Sequence, residues 1–546
     1  MSQDTPADGP PDVIPYTPFV RGHRRPRRLP TDMADLPSVL LASSEVVGFA
    51  KTGGLADVSG YLPLALARRG HAVAVVMPLY RSVRTGKQPI RPTEHILGVP
   101  LGRTIIPSRL WRSSLPDSDV PVFLIENADF FERDDPAAGL GIYQRTTPDG
   151  RSKLDYPDNC ARFTFFSRAV MEAAPYVGFP PDILHANDWQ TGLIPVYLRE
   201  LYRHRPDYRR MRTLFTIHNI AFQGAFPHEL FHLTGLDFRL YNPHQLEFYG
   251  QFNFLKGGVV FSDWVNTVSP TYANEIRTPT FGCGMEGVLN ERRDRLNGIV
   301  NGVDYRSWDP ATDPHIARNY TIDTVLEGKA ECKAELQRLF GLPQERHIPL
   351  LGMVARLTEQ KGIDLIVKAA DDMLKLPVQL VILGEGDHGY HARLYSIRDT
   401  YPKQVGLHIG FDESLAHKIE AGSDVYLMPS LFEPSGLNQL YSLRYGTPPI
   451  VRTTGGLADT IVDTTEESLV SKEPTGFRFQ AYTPQALANT VRWATYLYHD
   501  RPDTFLRIIR NGMKADWSWD RSAAGYEKIY QRLVNERDGR RLAESA

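Results

Sequence analysis

The sequence has little cysteine, no long apolar run and almost no net charge. It contains three cysteines, Cys160, Cys283 and Cys332, without CxxC or metal-ligand spacing. This odd number argues against a disulfide framework and favours a reducing compartment, so we expect a cytoplasmic protein. No apolar run is long enough to span a bilayer, and the first residues lack the pattern of a secretory signal. The net charge of -2 excludes a general attraction to nucleic acid or to an anionic membrane.

The length and the composition indicate a multidomain globular protein. A chain of 546 residues is too long for one hydrophobic core, so at least two domains are expected. Residues 1–36 are rich in proline and then in arginine, which predicts a disordered, solvated tail. An acidic partner for the arginine cluster is the alternative. A neutral polysaccharide partner fits the overall charge balance.

From residue 37 the pattern predicts an α/β fold with two doubly wound Rossmann-like domains facing each other across a cleft. Short strands that are apolar throughout alternate with amphipathic helices, which is typical of parallel sheets covered on both faces. We expect a first domain at 37–298, a second at 299–515, and a helix within 516–546 that packs back on the first. The predicted strands are 38–43, 72–77, 120–126, 182–186, 212–218, 349–354, 378–383, 424–428 and 449–451. The predicted helices are 55–66, 158–171, 363–374, 413–421, 438–444 and 523–533.

The hexapeptide TGGLAD occurs twice, each time between a predicted strand and a predicted helix. Paired glycines let the backbone approach a ligand closely, and a helix N-terminus offers unpaired amides to phosphate. We therefore predict two anion-binding turns, one in each domain, although a turn that only connects a strand to a helix is the alternative. The predicted residues of the first turn are Lys51, Thr52, Gly53, Gly54 and Asp57, and those of the second are Thr454, Gly455, Gly456 and Leu457.

Two further segments of the second domain carry candidate charges. Arg356 follows a predicted strand, and Lys361 stands five residues later at a helix start. Two cations beside the carboxyl edge of a sheet suit a diphosphate leaving group, whereas ordinary surface charges are the alternative. In PSLFEPSGLNQ, Pro434 restrains the backbone of Glu433. This carboxylate suits sugar hydroxyls or a developing positive charge, and a helix cap is the alternative.

The first domain offers His185 at a strand end and Asp158 at a helix start. A lone histidine is more often structural than catalytic, and an aspartate at a helix start is often an N-cap. Asp188, three residues after His185, is expected to cap the next helix. His218 ends the next strand, so two histidines are expected to approach the same sheet edge.

Ten segments in one order carry a specific resemblance. They are KTGGLADV, DN..RF, HANDW, TIHNIAFQG, FNFLKGG, VSPTYANEI, GIVNGVD, RLTEQKG, FEPSGLNQLYSLRYG and RTTGGLADT. Over residues 37–535 the chain resembles the bacterial glycogen synthase and plant starch synthase family, which are ADP-glucose-using, retaining glycosyltransferases of the two-Rossmann (GT-B) type. The resemblance implies transfer of glucose to the non-reducing end of an α-1,4-glucan, without a cofactor or a metal. The preference for ADP over UDP comes from the resemblance.

The resemblance also implies roles for individual residues. Lys51 looks like the donor-binding lysine, and His185 with Asp158 like the pair near the transferred glucose. Arg356 and Lys361 look like the diphosphate-binding cations. Glu433 looks like the glucose-side carboxylate, with Ser435 and Gly436 beside it, and the Gly455–Leu457 turn is expected to meet the phosphates through its amides.

The chain departs from the family pattern at a few positions. Many relatives have Cys at Ser435 and His at Asn187 and Gln190, and a hydroxyl at 435 still donates a hydrogen bond. Tyr441, eight residues after Glu433, differs from sugar transferases that carry a second glutamate there. Two other functions compete with the synthase: a phosphorylase, which would carry pyridoxal phosphate on a lysine, and a glucan-binding protein without turnover.

Overall fold

The computed structural model describes residues 36–133, 141–147 and 153–539. The predicted tail lies outside these residues apart from its last position, Leu36. Two sheets organise the rest of the chain, and we call each sheet with its covering helices a lobe. No helix in the described ranges is both long and apolar enough to cross a membrane.

The first lobe is built on a nine-stranded sheet with the order β14-β13-β9-β8-β1-β2-β5-β4-β3. Seven of these strands are parallel, and β3 and β4 form an antiparallel hairpin at one edge. The strands of this lobe, with two small sheets, are β1 (Val39–Ala42), β2 (Val73–Pro78), β3 (Arg91–Leu101), β4 (Thr104–Ser114), β5 (Pro121–Ile125), β6 (Gln144–Thr146), β7 (Lys153–Asp155), β8 (Ile183–Asn187), β9 (Arg212–Ile217), β10 (Ala225–Pro227), β11 (Glu247–Phe248), β12 (Gln251–Asn253), β13 (Trp264–Thr267) and β14 (Leu296–Gly298).

Helices cover both faces of this sheet, so the side chains of its central strands are buried on both faces. All four residues of β1 are buried, as expected for a parallel strand between two helical layers. The helices of the first lobe are α1 (Gly54–Arg68), α2 (Arg81–Arg84), α3 (Ala128–Phe131), α4 (Asn159–Ala173), α5 (Leu193–Tyr197), α6 (Phe254–Phe261), α7 (Pro270–Glu275) and α8 (Glu286–Glu291).

The second lobe has a six-stranded, fully parallel sheet with the order β17-β16-β15-β18-β19-β20. Its strands are β15 (Leu350–Val354), β16 (Gln379–Gly384), β17 (Val405–Ile409), β18 (Val425–Met428), β19 (Pro449–Arg452) and β20 (Phe477–Phe479). Numbered from the first strand of this lobe, the order across the sheet is 3-2-1-4-5-6. This is a doubly wound sheet, and its strand order reverses between β15 and β18. Its helices are α9 (Val325–Leu339), α10 (Ile363–Leu374), α11 (His388–Thr400), α12 (Glu413–Gly422), α13 (Asn438–Arg444), α14 (Gly455–Thr460), α15 (Glu466–Ser471), α16 (Pro484–Asp500) and α17 (Pro502–Lys514).

The last helix, α18 (Trp519–Arg537), belongs to the core of the first lobe. Its buried residues, among them Trp519, Tyr526 and Tyr530, lie in the same apolar cluster as β1 and α1. The apolar clusters of the second lobe contain residues between 308 and 517. The chain therefore leaves the first lobe after β14 and returns to it after α17.

The α/β fold class is confirmed, and one part of the first sheet differs from expectation. The sequence pattern predicts only parallel strands, whereas β3 and β4 are antiparallel and half-exposed. They form an edge hairpin whose residues alternate between buried and exposed positions, so they lack the continuous apolar run that marks the central strands.

Candidate active site

In each sheet the strand order reverses at one pair of neighbouring parallel strands. Ligands of such sheets bind at the carboxyl ends of these two strands. In the second lobe these are β15 and β18, which are followed by the segments containing Arg356 and Glu433. In the first lobe they are β1 and β8, which are followed by the segments containing Lys51 and Asp188. Lys51, Arg356, Lys361 and Glu433 therefore lie on loops that the topology marks for a ligand.

The loops after β15 and β18 are packed against each other. Leu431 N donates to Gln360 O over 2.9 Å. Gly362 has a φ of +76°, and a Cβ there would lie 2.2 Å from Pro429 O. Only glycine fits this position, because both the backbone conformation and the close approach exclude a side chain. The glycine that ends RLTEQKG thus holds Lys361 beside the Glu433 loop.

Lys361 and Glu433 form the ion pair at the centre of this region. Lys361 Nζ lies 2.5 Å from Glu433 Oε2, and Ser430 Oγ donates to the same oxygen over 3.2 Å. The Glu433 side chain is 7% exposed and that of Lys361 is 21% exposed. A carboxylate this buried needs its partner, because removing one member leaves an uncompensated charge. Glu433 does not cap the following helix, so the alternative of a helix cap is wrong.

Arg356, on the same loop as Lys361, is exposed. Its only side-chain hydrogen bond within the described ranges is a long one, 3.4 Å from Nη2 to Gln360 Oε1. No carboxylate pairs with it in that part of the chain. Its guanidinium is therefore accessible to an anionic ligand at the carboxyl edge of β15.

The first TGGLAD turn binds a carboxylate of the protein itself, that of Glu45. Both oxygens of the buried Glu45 are used. Oε2 accepts from Thr52 N over 2.5 Å and from Gly53 N over 3.1 Å, and Oε1 accepts from Thr52 Oγ1 over 2.6 Å. Tyr143 OH donates to Oε1 over 2.7 Å. The expectation that Thr52 and Gly53 offer free amides to a phosphate is corrected, because Glu45 already occupies them.

Lys51 and Asp57 form a second ion pair at the same turn. Lys51 Nζ lies 2.7 Å from Asp57 Oδ1, and the lysine side chain is half-exposed whereas the aspartate is buried. Burial raises the pKa of Asp57, and the ammonium group of Lys51 opposes that shift. The lysine can therefore reach solvent in the cleft while its carboxylate partner stays fixed in α1.

The two lobes approach each other at this turn. A Cβ on Gly54 would lie 3.9 Å from Leu437 Cδ1, which is an ordinary van der Waals contact. Gly54 opens α1 of the first lobe, and Leu437 directly precedes α13 of the second. The turn with Lys51 and the loop with Glu433 therefore face each other across the cleft.

The second TGGLAD turn has no free amide, so its expected role in phosphate binding is also corrected. Every backbone amide from Thr454 to Leu457 has an acceptor. These bonds are Thr454 N to Arg452 O, Gly455 N to the carboxylate of Glu275, Gly456 N to Glu433 O and Pro434 O, and Leu457 N to Thr454 O. Here too a glutamate of the chain takes the place that was predicted for a phosphate.

The segment between Glu433 and α13 has unused donors instead. The amides of Gly436 and Leu437 have no acceptor within the described ranges. Ser435 is 5% exposed, and its Oγ has no partner there either. Gly436 has a φ of +70°, a conformation that glycine adopts without strain. Of the predicted residues, Ser435 and Gly436 thus keep the free donors that a ligand needs.

His185 does not reach the cleft, and its predicted catalytic position is corrected. The side chain is fully buried, with Nε2 2.7 Å from Thr216 Oγ1 and Nδ1 2.9 Å from the hydroxyl of Tyr530 in α18. Burial lowers the pKa of His185 to about 3, so the ring is neutral. The residue is a structural link between the sheet and the last helix.

Asp158 precedes α4 but does not cap it. Its Oδ2 is bound by Arg133 Nη2, while Oδ1 is buried and has no partner in the ranges 36–133, 141–147 and 153–539. The carboxylate is about one-third exposed. The exposed oxygen of the carboxylate is thus the one that Arg133 holds.

Sequence reasoning missed the way in which the loops after β8 and β9 are joined. Asp188 does not cap a helix: its Oδ1 accepts from His218 N over 2.7 Å, and Asn187 Oδ1 lies 2.9 Å from His218 Nε2. Asp188 has a φ of +57°, which is strained for a non-glycine residue and is typical of functional sites. Burial raises the pKa of Asp188 to about 7 and lowers that of His218 to about 3. No local sequence signal reveals a positive φ at an aspartate.

Two other residues were also missed. Glu45 lies three residues after β1, and an acidic residue just beyond a central strand is a signal for a binding loop. Phe411 follows β17 at the carboxyl edge of the second sheet, and 86% of its side chain is exposed. An aromatic ring this exposed, at the edge where ligands of such sheets bind, is a candidate surface for stacking a planar group.

Comparisons with known proteins agree with this geometry. Residues 38–291 match the family model described as the starch synthase catalytic domain, and residues 342–512 match glycosyl transferases group 1. The chain is 45% identical to the glycogen synthase of Syntrophotalea carbinolica, over 91% of this chain and 99% of that protein. It is 46% identical to the glycogen synthase of Thioalkalivibrio sulfidiphilus, over 91% of this chain and all of that protein.

Solved structures give the same relationship. The catalytic domain of starch synthase IV from Arabidopsis thaliana, bound to ADP and acarbose, superposes with a TM-score of 0.82 at 32% identity, covering 92% of this chain and all of that one. Sucrose-phosphate synthase from Thermosynechococcus elongatus has a TM-score of 0.54 at 17% identity, which reflects the fold alone.

Proposed function

Because the chain belongs to the glycogen synthase family, we propose that it transfers glucose from ADP-glucose to the non-reducing end of an α-1,4-glucan, with retention of the α configuration. One observation carries the proposal. The ion pair of Lys361 and Glu433 lies at the carboxyl ends of β15 and β18, where the strand order of the second sheet reverses, and the exposed Arg356 is on the same loop as Lys361.

The leaving group is a nucleoside diphosphate, so its departure requires positive charge held in place beforehand. Arg356 and Lys361 supply this charge from the loop after β15, and the free amides of Gly436 and Leu437 on the loop after β18 add hydrogen-bond donors. Preorganised donors of this kind stabilise charge that develops in the transition state. Lys51, facing them from the first lobe, adds a cation when the lobes are together.

Glu433 is suited to the sugar side of the reaction. Its Oε2 is held by Lys361 and Ser430, which fixes the carboxylate in one orientation. From there it binds glucose hydroxyls or stabilises the positive charge that develops at the anomeric carbon. Asp158, whose partly exposed carboxylate is held by Arg133, is the acceptor that we assign to a further hydroxyl from the first lobe.

Retention follows from attack on the same face that the diphosphate leaves. The bond from C1 to the phosphate oxygen breaks with its electron pair on ADP, and the acceptor O4 forms the new bond to C1. The proton of the acceptor hydroxyl passes to the departing phosphate oxygen. Water must be excluded during this step, because it would hydrolyse the donor, and a cleft closed between two lobes excludes it.

We also propose that the enzyme acts in the cytoplasm without a metal or a cofactor. Cys160, Cys283 and Cys332 are all free thiols, which supports a reducing compartment. Two lysines and an arginine supply the charge that a divalent cation would otherwise provide. The starch synthase that superposes on this chain has ADP bound, which supports adenine as the base of the donor.

The decisive experiment incubates the pure protein with ADP-glucose and glycogen in the presence of EDTA. We expect ADP release and chain elongation with α-1,4 linkages, and faster transfer from ADP-glucose than from UDP-glucose. Glycogen binding without turnover would favour the non-catalytic glucan binder. Activity that requires orthophosphate, together with the absorbance of bound pyridoxal phosphate, would favour the phosphorylase.

A further inference from the structure

Two short helices from different lobes cap each other. Glu275, the last residue of α7 in the first lobe, accepts hydrogen bonds at the start of α14 in the second. Gly455 N lies 3.0 and 3.1 Å from its two carboxylate oxygens, and Thr454 Oγ1 lies 3.0 Å from Oε1. A carboxylate at a helix N-terminus is favoured by the unpaired amides and by the helix dipole.

The same arrangement occurs in the opposite direction. Asp459, in the last turn of α14, accepts at the start of α7. Its Oδ2 accepts from Ser269 Oγ over 2.5 Å and from Thr271 N over 3.0 Å, and its Oδ1 accepts from Thr271 Oγ1 over 2.6 Å. We call these two carboxylates and the helix starts that they bind the reciprocal cap.

The reciprocal cap is directly connected to Glu433. Gly456, next to the amide that Glu275 binds, donates its own N–H to Glu433 O over 3.1 Å. A Cβ on Gly455 would lie 2.0 Å from Glu433 O, and one on Gly456 would lie 2.1 Å from Ser435 O. The backbone of the turn thus lies against the backbone of the glucose-side loop without an intervening side chain. Any displacement of the turn must move the loop that carries Glu433.

We infer that Glu275 and Asp459 are positioning residues for the transfer reaction: through the Thr454–Gly456 turn they make the orientation of Glu433 depend on the first lobe. The inference rests on the proposed function of Glu433. Arg356, which bonds to Gln360, and Phe411 take no part in the contacts that run from Glu275 to Glu433. Loss of the reciprocal cap therefore affects the reacting sugar more than the binding of the nucleotide.

The test compares Glu275→Ala, Glu275→Gln and Asp459→Asn with the wild-type enzyme. The matched control is Thr465→Ala, which removes a helix cap of the second lobe whose hydrogen bonds stay within α15. Four quantities are measured: kcat, KM for ADP-glucose, the Kd of ADP, and the melting temperature. The milder Glu275→Gln keeps an acceptor oxygen at the same place and remains informative if the alanine variant does not fold.

We expect kcat to fall on the order of tenfold in Glu275→Ala and less in Glu275→Gln, since a helix cap and a tenfold rate change have similar free energies. The Kd of ADP should change less than about twofold, which corresponds to roughly 0.4 kcal/mol. Thr465→Ala should keep the wild-type kcat. Wild-type kcat in both Glu275 variants would overturn the inference, and so would a parallel loss of kcat, ADP affinity and melting temperature. A wild-type protein without transfer activity would instead refute the proposed function.

Discussion

Lys361 Nζ lies 2.5 Å from Glu433 Oε2 and joins the loops that follow β15 and β18. The pair brings together the charge proposed for the leaving group and the carboxylate proposed for the sugar. The two charges compensate each other, because neither is stable alone in a site that excludes water.

Lys361→Ala is expected to lower kcat/KM about 10²-fold, because a preorganised donor to the leaving group is lost. It should also lower the melting temperature, since Glu433 is left buried without its partner. The double variant Lys361→Ala/Glu433→Gln should recover the melting temperature but not the activity. Lys368→Ala, which removes an exposed lysine from an ion pair within α10, is the control and should resemble the wild type. Recovery of activity in the double variant would contradict this account.

The two TGGLAD turns should respond differently to the same substitution. Gly54→Ala places its Cβ at an ordinary distance of 3.9 Å from Leu437 Cδ1, whereas Gly456→Ala places it 2.1 Å from Ser435 O. We expect the first variant to fold with a melting temperature near that of the wild type. The second should be inactive or destabilised by about 1–3 kcal/mol, as overpacked sites usually are. Thermal unfolding and transfer assays check both, and equal behaviour of the two variants would refute the close backbone contact.

The pH dependence of stability should carry the signature of His185. Its folded pKa of about 3 lies below the ordinary value of 6.5, so between these values the unfolded chain binds the additional proton. The free energy of unfolding should therefore fall as the pH drops from 6.5 toward 3, by about 1.4 kcal/mol per pH unit from this one group. Asp188, whose pKa is raised to about 7, contributes with the opposite sign over about pH 4 to 7.

Urea unfolding at several pH values should show a shallower loss in acid for His185→Gln than for the wild type. The difference between the two proteins isolates His185, because Asp188 and His218 are present in both. Since His185 contacts Tyr530 and Thr216 rather than the cleft, kcat of the variant at neutral pH should remain within about threefold of the wild type. A loss of 10²-fold or more would restore the catalytic role predicted from the sequence.

Phe411→Ala should raise the KM for ADP-glucose about fivefold and change kcat little, because an aromatic contact contributes roughly 0.5–1.5 kcal/mol beyond its buried area. Phe411→Tyr is the matched variant and should behave like the wild type. If the ring stacks on the base, the alanine variant also discriminates less between ADP-glucose and UDP-glucose. An unchanged KM in Phe411→Ala would remove this residue from the donor site.

Helices with a regular apolar stripe could be predicted from the sequence. The bounds predicted for α10 and α13, 363–374 and 438–444, agree with the structure, since each helix has an apolar stripe and a clear start. The hairpin of β3 and β4 was missed because half-exposed strands lack the continuous apolar run of a buried strand.

In the candidate site, too, some features could be predicted from the sequence and others could not. The motifs correctly select loops at the carboxyl ends of parallel strands, and Arg356, Lys361 and Glu433 lie together there. The occupants of the two glycine turns could not be predicted, since Glu275 reaches Gly455 across 180 residues of chain. His185 was misassigned for a related reason: Tyr530, which binds it, is 345 residues away.

The return of α18 to the first lobe has a consequence for how the protein is made. Tyr526 and Tyr530 complete the apolar cluster that begins with β1, and they are translated only after the whole second lobe. A ribosome-bound nascent chain that ends before residue 519 exposes the face of the sheet around His185. The first lobe can therefore be the last to finish folding, although its strands are synthesised first.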